Sequence, residues 1–271
     1  MALKQLIPPR LRPPARAVLF PLYRGAMRLR CWCLDRIEQR ELGGGLRLPP
    51  AMLRFRVDEN PSARVFLDTG RKIAHDIQTA LASIGRPFTG FDTVLDFGCG
   101  CGRPLIWLAR EYPGKAFHGT DVDEASIRWC RQHLPLAGFA VNPPLPPTEY
   151  PDGMFDLILA ISVFTHLDEE PQLRWLEELR RILRPGGVLL ASLHGEHSWM
   201  ALPREDLETL RRRGFLFKRS AKLRGIVPAG YHTAHHSRDY AERTFAQYFT
   251  VLSYREAGLG YQDLAALERR A

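Results

Sequence analysis

The sequence predicts an α/β protein built on a mainly parallel sheet with helices on both faces. Three observations predict it. From residue 61 onward, short apolar strand-like runs alternate with helical periodicities, the pattern of a parallel sheet covered on both sides. Residues 94–103 read V-L-D-F-G-C-G-C-G-R, a buried strand that turns through glycines 98, 100 and 102. Arg103-Pro104 then opens a helix, with proline in the first turn, where its missing N–H is not needed. Strand, glycine loop and helix together mark a place where a polar ligand meets the backbone. Glycine lets that approach be closer than any Cβ permits and allows positive φ.

The elements follow in order. Residues 65–84 form a helix, with Ile73, Ile77 and Leu81 at i, i+4 and i+8. A strand at 93–97 leads through the glycine loop to a helix at 104–112. Strand 116–121, helix 124–134 and a short strand at 139–141 come next, and 155–162 is a strong apolar strand. Helix 170–182 is closed by Arg184-Pro185-Gly186-Gly187, and strand 188–193 follows. Helix 204–213, the segment 215–218, helix 237–249 and a last strand at 261–267 complete the chain.

Residues 1–60 are read as an N-terminal extension and 61–271 as the main domain. Residues 1–16 are rich in proline and arginine and are expected to be irregular. Residues 18–37 can form a basic amphipathic helix. Leu19, Leu22, Tyr23, Ala26, Leu29, Cys33 and Ile37 fall near one face, Arg24 and Arg28 on another, and Pro21 is admissible only in the first turn. Such a helix either docks on a membrane surface or a partner, or packs on the main domain. An arginine-rich, acid-free start is also shared by mitochondrial presequences, but residues 1–34 contain no serine.

Charge and cysteine usage narrow the function classes. The net charge is +8, but residues 1–34 carry seven basic residues and no acid, which leaves 31 basic against 30 acidic residues in the remainder. A near-neutral body argues against a nucleic-acid enzyme, which carries its basic stripe on the body itself. No apolar run reaches about 18 residues, so no membrane span is expected. The five cysteines (31, 33, 99, 101 and 130) are odd in number, never spaced C-x-x-C, and two sit in the glycine loop. That argues against a disulfide framework or a zinc site and for a reducing, cytoplasmic setting.

In an open parallel sheet, ligands bind beyond the carboxyl ends of the strands. The first strand presents the glycine loop. The second presents Asp121, whose two oxygens suit a pair of ribose hydroxyls. The third ends near Asn142 and the fourth at Ser162-Val163-Phe164-Thr165-His166. The loop spacing is G-x-G-x-G rather than the dinucleotide G-x-G-x-x-G. Asp96 stands just ahead of it, where a carboxylate repels phosphates and suits a cation.

That spacing resembles motif I of the class I S-adenosylmethionine-dependent methyltransferases, and the resemblance extends over roughly residues 61–271. Residues 117–123 (F-H-G-T-D-V-D) resemble the family's second-strand motif, 155–162 (F-D-L-I-L-A-I-S) its fourth strand, and 183–189 (L-R-P-G-G-V-L) its passage from helix to fifth strand. The resemblance implies a Rossmann-like, doubly wound, seven-stranded sheet whose last strand is antiparallel, with the closing hairpin formed around 248–256 and 261–264. It implies S-adenosyl-L-methionine as cofactor. Asp96, Gly98, Cys99, Gly100 and Gly102 would hold its methionine part, Asp121 the ribose and Val122 the adenine. Asn142 would stand where an acidic residue is often found near the adenine amino group, and Ile161 would lie on the cofactor side at the end of the fourth strand. The tetrapeptide Asn142-Pro143-Pro144-Leu145 precedes the fourth strand and ends in leucine, so it reads as a connection and not as a base-stacking box.

Methyl transfer needs an aligned acceptor, exclusion of water and, for a hydroxyl acceptor, a base. His166 and Tyr231 are the candidates on the acceptor side. His194, Glu196 and the cluster His232, His235 and His236 are nearby titratable groups, and Trp199 and Met200 are candidates for an apolar acceptor wall. No metal is expected, since the histidines lack a paired carboxylate pattern. The expected acceptor is a small molecule, a sugar or a lipid-linked compound methylated on O or N. Nucleic acid is disfavoured, and residues 1–40 are suited to peripheral membrane contact. Two alternatives stay open: a nicotinamide-dependent oxidoreductase and a non-catalytic, cofactor-binding regulatory protein.

Overall fold

In the computed structural model, residues 12–38, 41–43, 46–221, 223–228 and 231–271 are described. Seven strands form one sheet: β1 (Thr93–Phe97), β2 (Ala116–Asp121), β3 (Gly138–Val141), β4 (Phe155–Ala160), β5 (Leu183–Leu193), β6 (Thr250–Leu259) and β7 (Gln262–Glu268). Their spatial order is β6-β7-β5-β4-β1-β2-β3. Strands β1 to β5 pair in parallel, and β7 is inserted antiparallel between β5 and β6. This is the Rossmann-like arrangement expected from the sequence, including its antiparallel last strand. The chain order reverses between β1 and β4, which opens a crevice at their carboxyl ends.

The helices are α1 (Arg12–Ile37), α2 (Ala51–Asp58), α3 (Ala63–Ser83), α4 (Leu105–Glu111), α5 (Glu124–His133), α6 (Glu169–Ile182), α7 (Arg204–Arg213) and α8 (Arg238–Phe245). Strand β4 shows why both sheet faces need cover, because every residue of it is buried. Ile158 and Ala160 pack on one side with Trp175, Leu176 and Leu179 of α6 and with Phe245 of α8. Leu157 and Leu159 pack on the other with Ile77 and Leu81 of α3 and with Leu105 and Leu108 of α4. The two-residue repeat of a strand thus feeds two separate cores. Asp123 starts α5 by accepting from the Ala125 N–H, and Ser237 starts α8 by accepting from Tyr240. Gly214 ends α7 at φ 75°, where a Cβ would lie 2.6 Å from that of Tyr240.

Three local expectations are corrected. Helix α1 begins at Arg12, not after an irregular 1–16, and holds Pro21 in its interior. Pro13 and Pro14 occupy the first turn instead. The bond that Pro21 forfeits lies on an exposed stretch. The helix is fixed from Tyr23 onward, where Tyr23, Met27, Cys31 and Leu34 pack on Ala51, Phe55, Leu223 and Ile226. Residues 1–11 lie outside the described residues. Second, Arg184-Pro185-Gly186-Gly187 does not separate helix from strand, because pairing begins at Leu183 opposite Phe155. Arg269 holds this stretch in the sheet by accepting from Gly186 N and donating to Gly187 O. Third, helix α8 ends at Phe245, so residues 246–249 belong to the turn into β6.

Phe155 is fully buried between α6 and the sheet. Phe155→Ala is expected to lower stability by about 3–5 kcal/mol. A urea unfolding curve with a lower midpoint and an unchanged slope checks this.

Candidate active site

The carboxyl ends of β1, β2, β3 and β4 meet in one cleft of about 1680 Å³. Its floor is the glycine loop. Gly98, Gly100 and Gly102 have φ of 76°, 53° and 78°, so all three take the left-handed conformation expected of them. The space a Cβ would need is filled by protein: Val163 lies 2.4 Å away at Gly98, Val57 2.3 Å away at Gly100 and Leu134 2.8 Å away at Gly102. The glycines therefore admit neighbouring side chains as well as a tight turn.

One carboxylate ties the loop to the sheet. Asp121 Oδ2 accepts from Gly100 N at 2.8 Å, and its Oδ1 accepts from Asp123 N at 2.7 Å. Gly98 N and Cys99 N both donate to Thr120 O, at 2.7 and 3.0 Å. Each carboxylate oxygen keeps a second lone pair, so Asp121 can still accept ligand hydroxyls. Burial raises its pKa, while the two N–H donors oppose that.

Asp96 lies at the base of the cleft and is 1% exposed. Its Oδ2 is buried without a hydrogen-bond partner. Burial first, then the nearby Asp121, lifts its pKa to about 7, against the opposing charge of Arg103. A buried carboxylate with a free oxygen is costly unless a cation or donor meets it.

Of the nine residues assigned to cofactor binding by sequence, Asp96, Gly98, Cys99, Gly100, Asp121, Val122, Asn142 and Ile161 line this cleft. Gly102 does not. It turns the chain into α4, with its N–H on Cys99 O and its carbonyl accepting from Ile106 N. Asn142 is internally satisfied, accepting from Thr120 Oγ1 and donating to Pro143 O, so it shapes the wall beside β3.

His166 and Tyr231 also line the cleft, and their rings pack with centroids 3.9 Å apart. His166 Nδ1 lies 2.6 Å from His232 O. A carbonyl only accepts, so Nδ1 carries the proton and Nε2 keeps its lone pair. Burial lowers the His166 pKa, which favours the neutral ring at pH 7. Burial raises that of Tyr231, which stays a phenol and donates to Arg56 O at 3.2 Å.

The remaining candidates separate. His232 lines the cleft, while His194, Glu196, Trp199, Met200, His235 and His236 lie outside its lining. His235 bonds Ser198 and His236 bonds Gln172, in the ribbon formed by Phe215–Lys218 and Thr233–His236. Burial pushes His194 and His235 down to about 4 and His236 to about 3. Among the described residues, no group of three or more His, Cys, Asp or Glu converges in a metal-binding arrangement.

Sequence reasoning missed the contribution of α2, which belongs to the stretch read as extension. Arg56 donates to both oxygens of Asp123, at 2.9 and 2.8 Å, and to Ile226 O at 2.7 Å. Arg103 pairs with Asp58 at 2.8 Å. These bonds fasten α2 and the turn 223–228 over the cleft. The apolar pairs Ala51/Phe55 and Leu53/Val57 at i, i+4 after Pro49-Pro50 were the available signal of a helix.

The sheet order, the glycine loop and the two carboxylates define a Rossmann-like nucleoside-binding protein of the methyltransferase type. Residues 95–189 match the family model of the methyltransferase domain, so this stretch, from the first strand to the fifth, is similar to the class I S-adenosylmethionine-dependent methyltransferases. It is 34% identical over 106 residues to the methyltransferase GfsG of Streptomyces halstedii, covering 35% of each chain. It is 28% identical over 140 residues to a fatty-acid O-methyltransferase of Mycolicibacterium smegmatis, covering 51% of this chain and 50% of that one. It is 37% identical over 97 residues to a trans-aconitate 2-methyltransferase of Delftia acidovorans, covering 35% of each. The chain thus spans between about a third and a half of these relatives' length. Among solved structures, it shares its fold with a 1,6-didemethyltoxoflavin-N1-methyltransferase of Burkholderia thailandensis at TM-score 0.51 and 17% identity, covering 82% of this chain and 88% of that one.

The family's cofactor is S-adenosylmethionine, and the site fits it. The unpartnered Asp96 oxygen suits a cationic methionine end, and the open lone pairs of Asp121 suit a ribose. A pyrophosphate would instead meet the Asp96 carboxylate. Affinity for S-adenosylmethionine is therefore expected to rise with pH through about 7, as Asp96 ionises. Without ligand the sign is opposite. The folded state keeps a proton that the unfolded chain releases above 3.8, so this group's contribution to stability falls from there to about 7. Calorimetric titrations on either side of that point check the first expectation. Asp96→Asn is expected to bind the cofactor about tenfold or more weakly and to lose most of the pH dependence.

Proposed function

We propose that this protein transfers a methyl group from S-adenosylmethionine to an oxygen or nitrogen of a small-molecule, sugar or lipid-linked acceptor. The observation that carries the reading is the buried, unpartnered carboxylate oxygen of Asp96 beneath the glycine loop, with Asp121 beside it. When bound, the cofactor supplies an electrophilic methyl group on a sulfonium. The chain's own residues do the rest. Asp96 holds the positive end, Asp121 orients the nucleoside, and Val122 and Ile161 form the walls around it.

The cleft exceeds the roughly 300–1,000 Å³ of an ordinary small-ligand pocket, so it has room for an acceptor beside the cofactor. Phe217, Leu223, Val227 and Pro228 give that part an apolar wall, and Arg219 stands among them. A mixed apolar and cationic lining suits an acidic or lipid-linked compound. Two relatives support this class by name, the fatty-acid O-methyltransferase and the trans-aconitate 2-methyltransferase. His166, neutral and with Nε2 unprotonated, takes the proton that a hydroxyl or amine acceptor sheds. Tyr231 packs on its ring and fixes its plane. The expected setting is the cytoplasm, with peripheral membrane contact through residues 1–40. No helix among the described residues is long and apolar enough to cross a membrane.

The test is incubation with methyl-labelled S-adenosylmethionine and fractionated cell extract. Label in the lipid, glycan or small-metabolite fraction supports the reading. Binding of cofactor with no label in any fraction would instead favour a regulatory protein without turnover. Once an acceptor is found, His166→Ala is expected to lower kcat by about 10²-fold or more and to leave cofactor affinity unchanged. Steady-state kinetics beside a cofactor titration separate the two effects.

A further inference from the structure

Helix α1 has two apolar faces, and the main domain covers only one. Tyr23, Met27, Cys31 and Leu34 face the domain and pack on α2 and on Leu223 and Ile226. On the opposite side Val18, Leu22, Leu29 and Trp32 recur at spacings of four, seven and three, one stripe along a helix. They are 61%, 64%, 63% and 55% exposed. Four large apolar side chains in one row are more than the isolated exposed residues normal for a soluble surface.

The charge around that row selects its occupant. Residues 1–34 contain seven basic residues and no acid. Arg30 and Arg36 are exposed, and Arg36 lies over the Trp32 ring with its guanidinium carbon 3.6 Å from the centroid. A second copy of the chain would bring an equally basic face against this one, since a twofold interface pairs like with like. An anionic lipid surface offers complementary charge, an apolar layer for the leucines and an interfacial level for tryptophan.

We propose that α1 is an interfacial anchor, lying in the headgroup layer of an anionic membrane through Val18, Leu22, Leu29 and Trp32. The anchor is joined to the cleft. Arg24 donates to Arg224 O at 3.0 Å and Arg28 to Gly225 O at 3.1 Å, on the turn that walls the acceptor side. Arg56 holds the same turn from within through Ile226 O. Seating α1 on a bilayer therefore sets the cleft mouth beside the membrane, where an amphiphilic acceptor concentrates. The membrane docking does not depend on which acceptor is methylated.

The test uses the full chain and sedimentation with vesicles of phosphatidylcholine alone or doped with phosphatidylserine. The expected result is capture by the anionic vesicles only, weakened by salt. The double variant Leu22→Ser/Leu29→Ser is expected to partition about tenfold or more weakly, with unchanged circular dichroism and cofactor affinity. Arg30→Glu/Arg36→Glu, which leaves the apolar row intact, is expected to abolish the preference for phosphatidylserine. Equal capture of wild type and both variants would overturn the proposal, as would no capture by anionic vesicles. Light scattering that shows a dimer dissociated by the serine variant would assign the row to self-association and overturn it too. Cofactor titration of the same samples reads the methyltransferase assignment separately.

Discussion

The site depends on one carboxylate held between two backbone N–H groups. Asp121 ends β2 and binds the loop after β1 through Gly100 and the start of α5 through Asp123. Two crossovers of a parallel sheet are thereby fixed at the level where strands stop and ligand begins. The hydrogen bonds stabilise the ionised form against burial, so the charge that shapes the loop is also the one proposed to meet a ribose. Asp96, one strand away, lacks such donors and carries the opposite consequence. Its Oδ2 is buried with no hydrogen-bond partner, and the charge of Arg103 offsets that burial only in part. The two carboxylates thus differ in kind: one is tied into the architecture, and the other keeps an oxygen free in the cleft.

Above this floor the cleft is closed by segments far apart in sequence. Arg56 reaches Asp123 and Ile226 at once, and Tyr231 returns a bond to the Arg56 carbonyl. In the Arg56–Asp123 pair a single guanidinium nitrogen, Nη1, meets both carboxylate oxygens, and the pair is partly buried, so it is less screened than an exposed ion pair. It joins helix α2, the start of α5 and the turn 223–228 into one unit. Gly70 allows the same closeness from α3, since a Cβ there would lie 2.6 Å from Arg103 O.

Much of this was legible in the sequence because buried parallel strands leave plain traces. Residues 93–97 and 116–121 were read to the residue, and the inserted antiparallel last strand came with the family resemblance. The floor of the site was legible for the same reason: its residues sit at strand ends, at fixed offsets from apolar runs. The lid was not. Arg56 lies 170 positions from Ile226, and no local pattern marks a guanidinium that will meet a carbonyl so distant. Pro21 misled because the usual penalty for an interior proline was set against tertiary docking of α1 that no local rule contains. The histidines at 232, 235 and 236 looked like one cluster. Strand alternation and a ribbon pairing send the last two elsewhere.

The thiols around the loop have a consequence of their own. Cys99 and Cys130 both direct their sulfur toward Gly100 O, at 3.6 and 3.7 Å, and Cys101 is buried beside them. Burial pushes all three well above the ordinary thiol range, Cys101 to about 12, so none is a reactive thiolate at rest. Attack by an alkylating reagent must await a moment when the loop lifts from β2. The rate of labelling at these three thiols, read apart from the exposed Cys33, is therefore a clock for breathing of the glycine loop.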